Sequence, residues 1–551
     1  MRGGGSRTNN AIVPSPQPHS SMPILPTSDR RARALALAFL WIAPPAYGLL
    51  ALTLGMDANW DLRNYHWYNA YAFLTGRLDF DLLPAQMPTF YNPILDLPFY
   101  AMASAWPAPV AGFVWSTIQG INLPLLFGIA MASLRVGTER RRTLLAMALA
   151  AMGGLGGGTL GLLGTTFQDN VVSLGVLGAA LVVLAGLPGL LDGPAGRAFT
   201  RVAAAGVLAG TAMGAKNPMV IYAVGLCLAF LALPAPPWRR LWLAFFFGVG
   251  VLAGLAATGG FWMVHLWQAY GNPIFPHMNH VFKSPLAAIS DYRNYSFLPA
   301  DPVERVFFPF YFVLAPLKVG EVAWFDLRVP LLFVLVPLAA LAALLRRPAV
   351  AIADPGATRY LLTALAVTYA LWVYMFCIYR YLVPVEMLAP LTVVLAAGLL
   401  PVSAKARMTL AAVLLVGVQA TMQPANWGRV PWSRHWVQAE VPPIPDPDHT
   451  MLLMAGYWAI SHVVPLFPPQ MPVVRIQSNF LQPDSVGNGS LAILKRRVAE
   501  HDGPFLMLST IPDTPGAAKA AALLGLTLDA QGCRSIPNNL GEPLNLCPVR
   551  R

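Results

Sequence analysis

Apolar runs of about 17–25 residues recur along the chain, at 34–55, 108–133, 144–164, 170–190, 202–216, 218–234, 241–265, 328–346, 359–379, 381–401 and 408–422. A helix needs roughly 20 apolar residues to cross the hydrocarbon core of a bilayer, so this pattern predicts a polytopic α-helical membrane protein with about 11 transmembrane helices. The 202–216 and 218–234 runs are short and meet at Asn217-Pro218, and their flanking charges favour a tight helical hairpin. The patch VFFPFYFVLAPL at 306–317 is too short to span and predicts a re-entrant or interfacial segment. The Ser/Pro/Gly/Asn-rich stretch 1–28 predicts a disordered tail. The long first run lacks a small-x-small cleavage site before polar residues, so it reads as an uncleaved span.

Charge then orients the spans. The chain is 56% hydrophobic and only 11% charged, against about 25% charged in soluble domains. Its net charge is +12, yet no basic stripe interleaves with aromatics on a soluble domain, which argues against nucleic acid. Basic residues gather instead between the apolar runs, at Arg30, Arg31 and Arg33, Arg135 and Arg140 to Arg142, Arg197 and Arg201, Arg239 and Arg240, Arg346, Arg347 and Arg359, and Lys405 and Arg407. With the N-terminus inside, every cluster falls on the inner side, as the positive-inside rule requires. The outer side receives loops 56–107 and 266–327 and everything after residue 422. The Ala/Gly/Arg-rich composition suits a bacterium, so the expected location is an inner membrane with a cytoplasmic N-terminus and a periplasmic C-terminal part.

After residue 422 the pattern changes. Pro-rich sequence leads into short apolar strands alternating with helical stretches, which predicts a small α/β domain over 423–551 behind the membrane domain at 29–422. Cys533 and Cys547 lie there, and an oxidising compartment would let them pair as a disulfide. Cys227 and Cys377 sit in apolar runs, where a buried thiol is ordinary.

Candidate chemistry gathers at the outer ends of the spans. Asp57, Asp61, Asp79, Asp81 and Asp96 crowd the loop after the first run, in a chain with only 25 acids. Asp61, Asn64, Tyr65, Tyr68 and Tyr71 share one stripe if 60–75 is a helix on the membrane surface. Such a stripe is either an aromatic belt or a site, and unpaired acids near hydrocarbon point to function. Asp169, in TTFQDN, is a helix cap or a second acid for the acceptor. Lys216 ends the small-residue segment GTAMGAK as a snorkelling cation or a phosphate ligand. His277, Asn279, His280 and Lys283 lie in a Pro/Gly-punctuated loop, where headgroup or phosphate contact is favoured over a metal. Arg380 in Tyr379-Arg380-Tyr381 offers a phosphate fork or a structural pair with Glu386 or Asp326.

The order of these segments resembles the GT-C superfamily of integral-membrane glycosyltransferases, such as the aminoarabinose and protein-mannosyl transferases that use polyprenyl-phosphate sugars. Asp61-Leu-Arg-Asn-Tyr65 followed by Leu74-Thr-Gly76-Arg77 is similar to the acidic motif and surface helix of their first outer loop. Tyr91-Asn92-Pro93, Gly210 to Lys216, Gly271-Asn-Pro-Ile-Phe-Pro, and Arg380-Tyr381 followed by Pro384 resemble further recurring segments, within roughly residues 33–400. The resemblance implies inverting transfer of a sugar from a polyprenyl-phosphate donor to a glycan- or lipid-linked acceptor at the outer face. Asp61 would be the base, with Asp57 as runner-up, and Asp169 would orient the acceptor. Lys216, Arg380, His277 and Lys283 would hold the donor phosphate, and Tyr65, His66, Tyr68, Tyr91 and Asn279 would contact sugar or lipid. Leu62 stands where many members carry a second adjacent acid, which leaves the base and a divalent metal open. The rival classes are a transporter or lipid flippase, favoured only by the Asn217-Pro218 break, and a non-catalytic envelope-assembly protein. Convergence of Asp61, Asp169, Lys216 and Arg380 on one cavity would support the transferase, and scatter would favour the rivals.

Overall fold

The structure, a computed structural model, describes residues 24–346 and 350–551. The tail expected over 1–28 lies outside the described residues as far as 23, as does Arg347. Beyond that point the tail expectation needs correction, because the backbone N–H groups of Thr27, Ser28 and Asp29 donate to the Glu139 carboxylate. Asp29 then caps the first helix, Arg30–Leu54.

The chain is a helical membrane protein. Among the described residues six helices are long and apolar enough to cross a membrane: Arg30–Leu54, Ala108–Ser133, Ala195–Ala215, Pro237–Tyr270, Arg328–Leu345 and Tyr379–Gly398. Asp169–Ala185 and Asn217–Ala232 are shorter apolar helices. Outward faces are apolar too. Leu241, Trp242, Phe245, Val249 and Leu252 form an exposed stripe along Pro237–Tyr270, which in water would be an unpartnered patch. Gly206, Gly210 and Gly214 let the Ala195–Ala215 helix press against Phe247 to Gly259. A Cβ at Gly210 would lie 2.1 Å from the Val251 carbonyl oxygen, so the small-residue segment is a close-packing seam.

Of the eleven expected spans, those at 144–164, 170–190, 218–234, 359–379 and 408–422 are not among these six, and the departures at 144–164 and 241–265 have clear physical reasons. The 144–164 run stops being one helix at Gly154. The carboxylate of Asp326 takes the Gly157 N–H at 2.9 Å, and that of Glu386 takes those of Gly158 and Thr159, drawing a short separate helix, Gly157–Gly161, onto two buried acids. The 241–265 run extends instead to 34 residues, Pro237–Tyr270. At 1.5 Å per residue that is about 50 Å, well beyond a bilayer core, and its end packs Trp262 and Leu266 against Phe90 and Phe480. The 306–317 patch forms the short helix Phe308–Leu314. It buries Phe308 and Phe312 while exposing Phe310, Tyr311 and Leu314, as an interfacial segment would.

Strand β1 (Met56–Asp57) pairs antiparallel with β2 (Arg429–Val430), tying the end of the first helix to the chain beyond residue 422. The remaining strands are β3 (Met451–Met454), β4 (Val473–Arg475), β5 (Phe505–Thr510), β6 (Thr527–Leu528), β7 (Arg534–Ile536) and β8 (Leu544–Arg550). They form one mixed sheet in the order β4-β3-β5-β8-β6, with β7 also on β8. Helices Ser490–Ala499 and Thr514–Ala522 alternate with these strands as the pattern predicted. Cys533 and Cys547 are joined by a disulfide.

Residues 60–75 are helical but do not lie on a surface. A π-turn, Leu62–His66, leads into the helix Trp67–Leu74. Tyr65, Tyr68 and Tyr71 are buried against Ile460, Val463 and Val464 of the sheet region. The aromatic stripe is therefore a packing face. A buried network helps dock the sheet: Asp81 accepts from the Tyr68 hydroxyl at 2.7 Å, from Arg77 and from the Val473 N–H.

Candidate functional site

Phe167-Gln168-Asp169 organises the candidate site. Gln168 is held in the left-handed backbone region, at φ 67°, just ahead of the helix Asp169–Ala185. A non-glycine residue there costs about 1–3 kcal/mol and persists only where its surroundings enforce it. The turn sends three consecutive residues to three partners. The Phe167 carbonyl accepts from Lys216 Nζ at 2.7 Å. The Gln168 amide donates to Asp96. Asp169 Oδ1 meets Lys216 Nζ at 2.6 Å. Asp169 is thus not a side-chain cap, and Lys216 does not snorkel free.

Arg380 completes the cluster from the far side. Its guanidinium lies 4.0 Å over the Phe167 ring. It reaches Asp61 Oδ2 at 3.3 Å and Glu321 Oε2 at 3.6 Å. The expected pairing of Arg380 with Glu386 or Asp326 is replaced by this one, since Arg328 takes Asp326 while Tyr379 and Thr159 take Glu386. Asp61 Oδ2 also accepts from the Tyr65 hydroxyl at 3.0 Å. Tyr65 meets Tyr91 edge-on, and Tyr91 stacks with His277 at 6.1 Å. Lys216 lies 5.4 Å from the Tyr381 ring.

Beside these groups, His66 Nδ1 bonds Asp96 at 2.6 Å, and its Nε2 is buried without a partner among the described residues. Burial pushes the Asp96 carboxyl up from its usual range, opposed by His66, Gln168 and Lys216. Burial likewise raises Glu321, opposed by Arg380. His277 is pulled down by burial, which favours the neutral ring. Asp61, Asp169 and Glu321, Lys216 and Arg380, and Tyr65, Tyr91 and Tyr381 are thereby gathered from six separate stretches of chain.

Several expected site residues lie elsewhere. Asp57 is wholly buried and its carboxylate is saturated, by the N–H and side chain of Asn59 and by the N–H and hydroxyl of Thr166. It has no oxygen left for a substrate proton, and it fixes loop 165–169 against β1. Tyr68 belongs to the docking network with Asp81. The Asn279 amide is spent on Ser284, Ala287 and Ala288 carbonyls, which shapes its own loop. Lys283 is exposed and bonded to none of the cluster. Glu321 was missed by the pattern, though an acid at the mouth of an apolar run was a usable signal. Among the described residues no group of three His, Cys, Asp or Glu side chains could hold a metal ion. Asp61 and Asp169 are already matched to cations, so this donor set does not fit a divalent metal.

Comparison with protein-family models, with characterised proteins and with solved structures finds no match.

Proposed function

We propose that the chain is an inverting glycosyltransferase of the GT-C kind, moving a sugar from a polyprenyl-phosphate donor to a glycan or lipid acceptor. The observation that carries the reading is the convergence of Asp61, Asp169, Lys216 and Arg380 around Phe167. Transport predicts ionisable groups spread along broken helices near mid-membrane. The Asn217–Met219 turn instead places Lys216 beside the same cluster as Asp169.

The chemistry follows from the pairing. Asp61 Oδ2 is engaged by Arg380 and Tyr65, and among the described residues Oδ1 has no hydrogen-bond partner. Oδ1 takes the acceptor hydroxyl's proton while that oxygen attacks the anomeric carbon. The bond from that carbon to the phosphate oxygen breaks, and the departing lipid phosphate gains negative charge. Arg380 and Lys216 stabilise that charge in a site shielded from water. Asp169 holds Lys216 in place, and Tyr91 with His277 forms an aromatic wall for the sugar. In this reading eleven spans cross a bacterial inner membrane with basic loops inside, and the cluster and residues 423–551 face the periplasm. Transfer from defined polyprenyl-phosphate sugars by the purified protein tests the activity. Loss of transfer in Asp61→Asn with retained membrane insertion supports the assignment, and full activity of that variant overturns it.

A further inference from the structure

The helices Asp169–Ala185 and Ala195–Ala215 press together at one level and part at another. Where they touch, a Cβ on Gly175 would lie 2.6 Å from the Leu208 carbonyl oxygen. Toward the first turns of Ala195–Ala215 a cavity of about 430 Å³ opens, lined by Val182, Gly196, Arg197, Thr200, Arg201 and Ala204. Arg197, Thr200, Arg201 and Ala204 follow the i, i+3, i+4, i+7 spacing that puts them on one helix face. All four are exposed, so the cavity is open to its surroundings. Arg201 lies about 22 Å from Lys216 along the helix, at 1.5 Å per residue, so this site is at the opposite edge of the membrane domain from the transfer cluster.

Two features distinguish this place from an ordinary basic edge. Arg201 is bedded on Gly186, the glycine that ends Asp169–Ala185, where a Cβ would meet Nη1 at 2.2 Å and Cδ at 2.3 Å. The side chain is thereby laid along the cavity wall, and among the described residues neither arginine is held by a hydrogen bond or an ion pair. Past Ala204, Val207 and Leu208 carry the same wall into the apolar part of the helix, 38% and 37% exposed. A mouth with two free cations therefore tops an apolar furrow.

We propose that this furrow binds one anionic phospholipid whose headgroup carries a phosphate and free hydroxyls, as phosphatidylglycerol does. The two guanidinium groups donate to the phosphate oxygens, and basic pockets between membrane helices take such headgroups. A choline or ethanolamine headgroup would bring its own cation against the arginines. Thr200 donates its proton to the Gly196 carbonyl at 3.0 Å, which leaves its oxygen to accept from a glycerol hydroxyl of the headgroup. An acyl chain lies along Val182, Ala204 and Leu208. The lipid is bound and not transformed, and the site does not depend on the transferase reading.

The test uses the full chain in detergent, stripped of lipid. Native mass spectrometry follows binding of phosphatidylglycerol and of phosphatidylcholine with the same acyl chains, and inorganic phosphate is the competitor. One phosphatidylglycerol binds in clear preference to phosphatidylcholine, and phosphate does not displace it. The double variant Arg197→Gln, Arg201→Gln weakens that binding by roughly tenfold or more. Ala204→Trp, which fills the furrow and leaves the charges in place, weakens it as well. The double variant Arg140→Gln, Arg141→Gln, in another basic cluster, leaves it unchanged. The proposal is overturned if phosphatidylcholine binds as tightly, if either furrow variant binds as the wild type does, or if inorganic phosphate displaces the lipid. An equal loss in the Arg140 and Arg141 variant would show diffuse attraction to basic loops and also overturn it.

Discussion

Replacing Asp169 and Lys216 singly and together measures how firmly the cluster is built. Their charged atoms are 2.6 Å apart, with side chains 0% and 15% exposed. At an effective dielectric of about 20, that separation corresponds to roughly 6 kcal/mol of attraction. Desolvation offsets much of it, but removing one partner strands the other charge and costs about 3–5 kcal/mol. Asp169→Asn leaves Lys216 only the Phe167 carbonyl and ring contact with Tyr381. Lys216→Met leaves a buried carboxylate whose Oδ2 already lacks a partner. Equilibrium unfolding in mixed micelles gives all four corners of the cycle. Each single change is expected to cost about 3 kcal/mol or more, and the double change at least ~2 kcal/mol less than their sum. Additivity within about 0.5 kcal/mol would refute the pairing.

His462 is wholly buried, and burial with the nearby Arg63 charge pulls it from 6.5 to about 4. Because the folded value is depressed, the neutral ring contributes stability above pH 6.5 that is lost as pH falls toward 4. The shift corresponds to about 3 kcal/mol, and His462→Gln should flatten thermal stability across that window, whereas an unchanged slope would refute it. Reducing the Cys533–Cys547 bridge, which closes a 14-residue separation, should destabilise the sheet by about 3 kcal/mol. Hydrogen exchange at β7 and β8 before and after reduction checks this, and unchanged protection there would contradict it.

What the sequence disclosed tracks the range of the interactions involved. Helix positions followed from apolar periodicity, and strands β3 to β5 from short apolar runs between turns. Lys216 and Asp169 were legible as edge charges, because hydrocarbon on either side makes an isolated charge conspicuous. Their partnership was not, since 47 residues separate them in the chain. Asp57 shows the opposite failure. Its type and position fitted a base, but only the fold reveals that Asn59 and Thr166 occupy both its oxygens. The tyrosine stripe had the right spacing for a surface helix, and the covering sheet, about 400 residues on, turned that face inward. The break at Gly154 depended on Asp326 and Glu386, which lie more than 150 residues away.

The central claim rests on Asp61. Transfer from a defined polyprenyl-phosphate sugar should be compared between wild type and Asp61→Asn, reconstituted side by side with matched thermal stability. A general base contributes about 10²–10⁴-fold, so the account predicts measurable transfer by the wild type and a loss of that size in the variant. Transfer by Asp61→Asn at the wild-type rate, or none by the wild type with any polyprenyl-phosphate sugar, would contradict it.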